Sequence, residues 1–94
     1  MHKYLQEHIL EEIKGAVDYW TKAVENKTKE CGMIFRHMAD MELEHANALT
    51  KMFTKLEKEA DVTDEAFSKM HKDILDAYAE GMTKIEAMKK LYYS

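Results

Sequence analysis

The stretch Asp40-Met41-Glu42-Leu43-Glu44-His45-Ala46-Asn47-Ala48-Leu49 places a carboxylate and an imidazole three residues apart within a pattern typical of an amphipathic helix. The helix stripe that contains them is predicted to comprise Phe35, Met38, Glu42, His45, Leu49, Met52 and Leu56. Most of these positions are large and apolar, so Glu42 and His45 are expected to face inward with them. Burying a carboxylate without a partner costs several kcal/mol, and a metal ion is one of the few partners that neutralise several such groups at once.

The composition is typical of a small all-α protein. The 94 residues include no proline and only three glycines, while the helix formers Ala, Leu, Met, Glu and Lys are abundant. We expect one domain over residues 1–94. Because a chain of this length buries only a modest core, we also expect it to associate with other copies.

Charge and hydropathy exclude several classes of partner. The net charge is −4 and the basic residues are scattered, which argues against nucleic acid. No apolar run approaches the ~20 residues that span a bilayer, so no membrane partner is expected. Cys31 is the single cysteine, which excludes an internal disulfide, and the N-terminal residues do not read as a signal peptide. These features predict a cytoplasmic location.

Three helices are predicted, over residues of about 3–25, 29–59 and 64–92. Asn26 or Thr28 is expected to cap helix 2, and Thr63, followed by Asp64 in the first turn, is expected to cap helix 3. The connection between helices 1 and 2 is short, so these two helices are predicted to form an antiparallel hairpin.

Helix 1 carries a third inward polar residue. Its predicted stripe comprises Leu5, Ile9, Glu12, Ala16, Tyr19 and Ala23. Glu12 lies fifteen residues before Lys27, the centre of the connection, and Glu42 lies fifteen residues after it. At a rise of ~1.5 Å per residue, both carboxylates are expected ~22 Å along their helices and therefore at the same height.

Helix 3 has a predicted stripe of Phe67, His71, Ile74, Tyr78, Gly81, Ile85, Met88 and Tyr92. Gly81 in mid-helix costs ~1 kcal/mol relative to alanine, so it is expected to mark a close helix contact or a kink. His71 is interpreted as a packed helix residue, and most of the eight methionines as core residues.

The inward polar residues match half of a di-metal site. Carboxylate-bridged di-metal bundles take one Glu from each of two helices and a Glu-x-x-His from each of the other two. This chain supplies Glu12 as the single Glu, and Glu42 with His45 as the motif. Two copies around a two-fold axis would bring four carboxylates together, whose charge two divalent cations balance. These oxygen and nitrogen ligands suit iron, with Mn, Zn or Co as substitutes at the same groups.

These residues resemble the ferritin-like di-iron proteins, and within them the encapsulated ferritins, which are short chains that complete a ferroxidase centre by dimerising. The similar segments are Leu10-Glu11-Glu12-Ile13 and Val17-Asp18-Tyr19-Trp20 in helix 1, Asp40-Met41-Glu42-Leu43-Glu44-His45-Ala46 in helix 2, and Glu80-Gly81-Met82-Thr83-Lys84-Ile85-Glu86-Ala87 in helix 3. The resemblance implies a ferritin-like four-helix bundle formed across a dimer interface, with a ring of dimers as the assembly.

The resemblance also implies an activity. Iron would be bound by Glu12, Glu42 and His45, with Tyr19 as the tyrosine near the metals and Glu11 on the iron access route. The implied reaction is oxidation of Fe(II) to Fe(III) by dioxygen or peroxide, for iron storage or detoxification, with two iron ions at each dimer interface. An encapsulin shell is the implied partner and compartment, although no targeting extension follows Leu91-Tyr92-Tyr93-Ser94.

Other interpretations stay open from the residues themselves. His8, one turn before Glu12, either extends the site, guides cations or is a surface histidine. The chain as a whole is alternatively a non-catalytic helical oligomerisation module, whose inward polar residues set the pairing register. A third alternative is a di-metal oxygenase or peroxidase that uses the same ligands.

Overall fold

The computed structural model describes residues 2–59 and 65–94. Helix α1 spans His2–Glu25, α2 spans Glu30–Glu59 and α3 spans Glu65–Tyr92. No residue in the described ranges belongs to a strand, which confirms the all-α prediction. The expected cap at Thr63 and the acidic first-turn residue Asp64 lie outside the described residues.

The helices alternate in direction. A four-residue turn folds α2 back along α1, so these helices form an antiparallel hairpin. Helix α3 runs parallel to α1, because Gln6 near the start of α1 bonds Asp73 of α3 at 3.4 Å, and the ring of Trp20 near its end meets that of Tyr92, with ring centroids 5.8 Å apart. Helix α1 therefore lies against both of its neighbours.

The turn between α1 and α2 is closed from the α1 side. The Asn26 side-chain amide donates a 2.8 Å hydrogen bond to the Lys22 carbonyl oxygen, one of the carbonyls left without an intrahelical partner at a helix end. Asn26 thus closes α1 instead of capping α2 as expected. Gly32 in the first turn of α2 comes so close to the Asn26 backbone carbonyl that a side chain there would collide with it.

Helix α1 supplies half of the buried core. Among the described residues the buried apolar side chains are Leu5, Ile9, Ile13, Ala16, Trp20 and Ala23 of α1, Ala39, Ala46 and Phe53 of α2, and Phe67, Ile74 and Ile85 of α3. The predicted stripe of α3 is confirmed at each of its buried positions. Among the residues that the structure describes, no helix combines the length and the apolar character needed to cross a bilayer.

The buried line of α2 differs from the predicted stripe. Gly32, Ala39, Ala46 and Phe53, seven residues apart, are the buried positions, whereas Met52 is 52% exposed. Ala39 and Ala46 are fully buried, whereas the large stripe residues Phe35, Leu49 and Leu56 are only partly buried and pack at the border of the core. The expectation that the whole stripe faces the core is therefore wrong.

The methionines divide in the same way. Met70, Met82 and Met88 of α3 pack against the core, as expected. Met33 and Met41 of α2 are exposed, so the interpretation of the methionines as core residues is wrong for this part of α2.

Gly81 marks a close helix contact, one of the two alternatives expected from the sequence. Helix α3 is continuous through this position, and a Cβ atom added there would lie 2.6 Å from Cγ2 of Ile13. The missing side chain lets α3 approach the middle of α1, one residue along the chain from Glu12.

Candidate metal centre

The hairpin brings together the three inward polar residues expected from the sequence. Glu42 and His45 lie one turn apart on α2, because residues three apart share a helix face, and Glu12 lies opposite them on α1. His45 Nδ1 is 3.6 Å from Glu12 Oε2 and 4.0 Å from Glu42 Oε1. One ligand atom from each residue lies within 4.8 Å of the other two. The expected equal height of Glu12 and Glu42 is confirmed.

Burial differs among the three side chains. Glu12 is 18% exposed, Glu42 27% and His45 54%. The inward orientation expected for His45 is therefore wrong for the single chain, since its imidazole lies at the edge of the hairpin. Glu12 Oε2 is fully buried, and when both carboxyl groups are ionised no described group donates a hydrogen bond to it, a costly state for a carboxylate oxygen.

The groups around the buried Glu12 Oε2 show whether these residues suit a metal ion. This oxygen lies beside an imidazole nitrogen and a second carboxylate, the donor types that iron, manganese, zinc and cobalt accept. A cation held among these atoms would satisfy Glu12 Oε2 where no protein group does. The donor set fits a divalent metal. Trp20 Nε1 is a second buried polar atom without a partner, but it packs beside the Tyr92 ring and away from any cluster of ligands.

The Glu12 carboxyl group raises the pKa of Glu42. Hydrogen bonding to Glu12, partial burial and the negative charge of Glu12 raise the pKa of Glu42 from 4.5 to about 7, while His45 acts in the opposite direction. Glu42 therefore holds a proton up to near neutral pH. A divalent cation would favour the ionised form, so its binding would displace this proton.

The cluster lies on the edge of the hairpin away from α3. Ile13, next to Glu12 and about 100° around the helix, faces Gly81 of α3. Asn47, two residues after His45 and so on nearly the opposite side of α2, accepts a 3.0 Å hydrogen bond from Tyr78 of α3. The ligand groups therefore lie on a side of the hairpin that α3 does not cover.

Tyr19 lies in a groove that adjoins the cluster. The groove has a volume of about 390 Å³ and is lined by Gly15, Asp18, Tyr19, Lys22, Phe35 and Glu42. The Tyr19 ring stacks with that of Phe35 at 6.2 Å between centroids and is half-buried. Glu42 belongs to both the groove and the cluster, so Tyr19 is near the carboxylates but outside the group of three.

The other candidate residues are not part of the cluster. Glu11 is exposed, and the His8 ring packs against Tyr4 with 4.8 Å between centroids. His71 is packed as expected, but its Nδ1 also lies 3.0 Å from Glu57 Oε1, a Glu–His pair that the sequence pattern did not predict because its members lie on different helices.

An all-helical chain with a Glu-x-x-His on one helix and a facing Glu on the next has the elements of a ferritin-like di-iron protein. Comparison with family models agrees: the model described as Rubrerythrin matches residues 3–94. The chain belongs to the rubrerythrin family, which is ferritin-like and di-iron and typically comprises redox enzymes. Comparison with curated proteins and with solved structures gave no match.

Proposed function

We propose that the protein is a ferroxidase whose di-iron centre forms between two copies, as in the encapsulated ferritins. The observation that carries this proposal is the convergence of ligand atoms from Glu12, Glu42 and His45, with Glu12 Oε2 fully buried among them. A redox reaction at iron is consistent with membership of the rubrerythrin family.

One chain supplies too few ligands for two metal ions. Two carboxylates and one imidazole are half of the set that di-iron bundles use. A second copy related by a two-fold axis supplies the other half, and the four carboxylates then balance two divalent cations. The half-exposed His45 and the exposed Met52, one heptad further along α2, suit a face that another copy covers.

In this proposal Fe(II) is the substrate. Each Fe(II) gives up one electron, so two together reduce dioxygen to hydrogen peroxide with the uptake of two protons, or reduce peroxide to water. Glu12, His45 and, after losing its proton, Glu42 would hold the iron. Tyr19 lines the groove that Glu42 also lines, and from there it would act on the oxidant. Manganese, zinc and cobalt are expected to compete for the same groups.

The test measures Fe(II) oxidation by dioxygen and, separately, by peroxide. Glu12→Ala, Glu42→Ala and His45→Ala are each expected to lower the rate by about 10- to 100-fold. His71→Ala is the matched control, because it breaks the other Glu–His pair and leaves the cluster intact. The proposal fails if His71→Ala is as damaging as His45→Ala, or if the wild type oxidises Fe(II) no faster than buffer.

The size of the assembly separates this proposal from a pairing module. A ferroxidase centre shared by two copies should need a metal ion to hold four carboxylates together, so a chelator should weaken the dimer. A register module would tolerate the chelator, and apolar replacements of the three residues would leave it as stable or more so.

A further inference from the structure

Gly15 of α1 lies directly against the Glu42 carboxylate. A Cβ atom added at position 15 would lie 2.7 Å from Glu42 Oε2 and 3.5 Å from its Cδ. The first distance is too short for non-bonded atoms, so the carboxylate occupies space that any side chain at position 15 would need.

The backbone gives no other reason for this glycine. Gly15 lies in the interior of α1, where glycine is the least favourable residue after proline. None of the three glycines, all of which are described, has a positive φ angle. Of the three, Gly32 faces backbone and Gly81 faces Ile13, so Gly15 is the one that faces an ionisable side chain.

We propose that Gly15 is a positioning residue for the metal centre. Its missing side chain lets the Glu42 carboxylate lie against α1, with Oε1 directed at His45 and Oε2 over position 15. This inference rests on the proposed function, because it concerns the aim of a ligand in that centre. It also identifies Gly15 as the floor of the groove that Glu42 and Tyr19 line.

A methyl group at position 15 would move the ligand and not the helix. The colliding atom is the end of a flexible glutamate side chain, which rotates at lower cost than two packed helices separate. Glu42 would swing toward solvent, away from Glu12 and His45. The fold would be retained, and alanine would strengthen the helix at this position.

The experiment measures Co(II) binding without oxygen, with cobalt as the probe, together with the thermal midpoint of the metal-free protein. Gly15→Ala is expected to bind Co(II) at least about tenfold more weakly than the wild type, with an equal or higher thermal midpoint. Gly81→Ala is the matched control. Its methyl group meets the branched Ile13 in the core, so its thermal midpoint should fall while the Co(II) affinity of the folded protein stays within about twofold.

The outcomes separate this inference from the proposed function. If the wild type binds Co(II) and Gly15→Ala binds it equally well, Gly15 does not position Glu42, and the ferroxidase proposal is unaffected. A Gly15→Ala protein with a lower thermal midpoint would make Gly15 a packing residue and would also overturn the inference. If the wild type binds no Co(II), both proposals fail.

Discussion

At the scale of the residue, the Glu42 carboxyl group interacts with two neighbouring ionisable side chains. It lies close to the Glu12 carboxyl group of α1 and faces His45 one turn along its own helix. The raised pKa follows from two acidic groups held close together in a partly buried place, since ionising both leaves two negative charges side by side. Stability and metal binding should therefore depend on pH with opposite signs.

The metal-free protein should lose stability as the pH rises. The folded-state pKa of Glu42, about 7, exceeds its ordinary value of 4.5, so folding favours the protonated form. That contribution is complete below the ordinary pKa and is lost as the pH rises through about 7. Between about pH 5 and about pH 8 we expect the wild type to lose on the order of 1 kcal/mol relative to Glu42→Gln, a discounted value because water partly screens the pair. Urea unfolding of both proteins in chelator measures this, and parallel pH profiles would contradict it.

Metal uptake should show the reverse dependence. Glu42 must lose its proton to become a ligand, so affinity should rise with pH up to about 7, by as much as tenfold per pH unit. Calorimetric titration with Zn(II) in buffers of different ionisation enthalpy measures the protons released. Release from Glu42 should approach one proton per chain at about pH 6, fall to about half a proton near pH 7 and be nearly absent above about pH 8. Glu42→Gln should lack this proton, and equal release by the two proteins would be inconsistent with the raised pKa.

At the scale of the element, the close approach of α1 and α3 depends on a single glycine. A side chain at Gly81 would collide with Ile13, whose neighbour Glu12 is a proposed ligand. One side of α1 therefore packs against α3 at Ile13, and the adjacent side of the same helix carries the Glu12 carboxylate.

Gly81→Ala should therefore destabilise the protein although alanine is the better helix former. Overpacking a core costs about 1–3 kcal/mol, and the gain in helix propensity offsets about 1 kcal/mol of this. We expect a net loss on the order of 1 kcal/mol in urea unfolding. Replacing Ile13 with alanine in the same protein should remove the collision and make the two substitutions non-additive. A more stable Gly81→Ala protein would show that α1 and α3 have room to separate.

At the scale of the whole molecule, the described residues form a thin body of about 51 by 18 by 14 Å. Such a shape leaves much of each helix exposed, and large apolar side chains are exposed on both α2 and α3. Met52 on α2 is 52% exposed and Leu75 on α3 is 55% exposed. The proposed centre requires a second copy on the α1 and α2 side only.

These two residues make a matched pair for testing the interface. Met52→Glu places a charge on the helix face that carries His45 and should abolish a metal-dependent dimer, because an unpaired charge in an interface costs several kcal/mol. Leu75→Glu alters an equally exposed apolar residue on α3 and should leave the dimer unchanged. Sedimentation velocity with and without Co(II) distinguishes them. Loss of the dimer in Leu75→Glu alone would mean that the copies associate through α3.

The features that could be predicted from the sequence alone are those that depend on the spacing of residues along a helix or across a short turn. Three helices are predicted by the apolar periodicity and by the absence of strand patterns in the sequence. Glu42 and His45 are predicted to share a helix face because they are three residues apart. The equal height of Glu12 and Glu42 also follows from the chain, because a short turn folds equal lengths of helix against each other.

The buried side of α2 is evident only from the packed helices. Apolar periodicity along the sequence locates a helix face to within about one residue, or 100° of rotation. Because Ala39 and Ala46 have small side chains, their side of α2 packs against α1, and His45 lies at the edge of the hairpin. Three further features depend on contacts between different helices. They are the raised pKa of Glu42, the pairing of Glu57 with His71 and the contact of Gly15 with Glu42. Their energies depend on distances between side chains, which the order of residues along one chain does not contain.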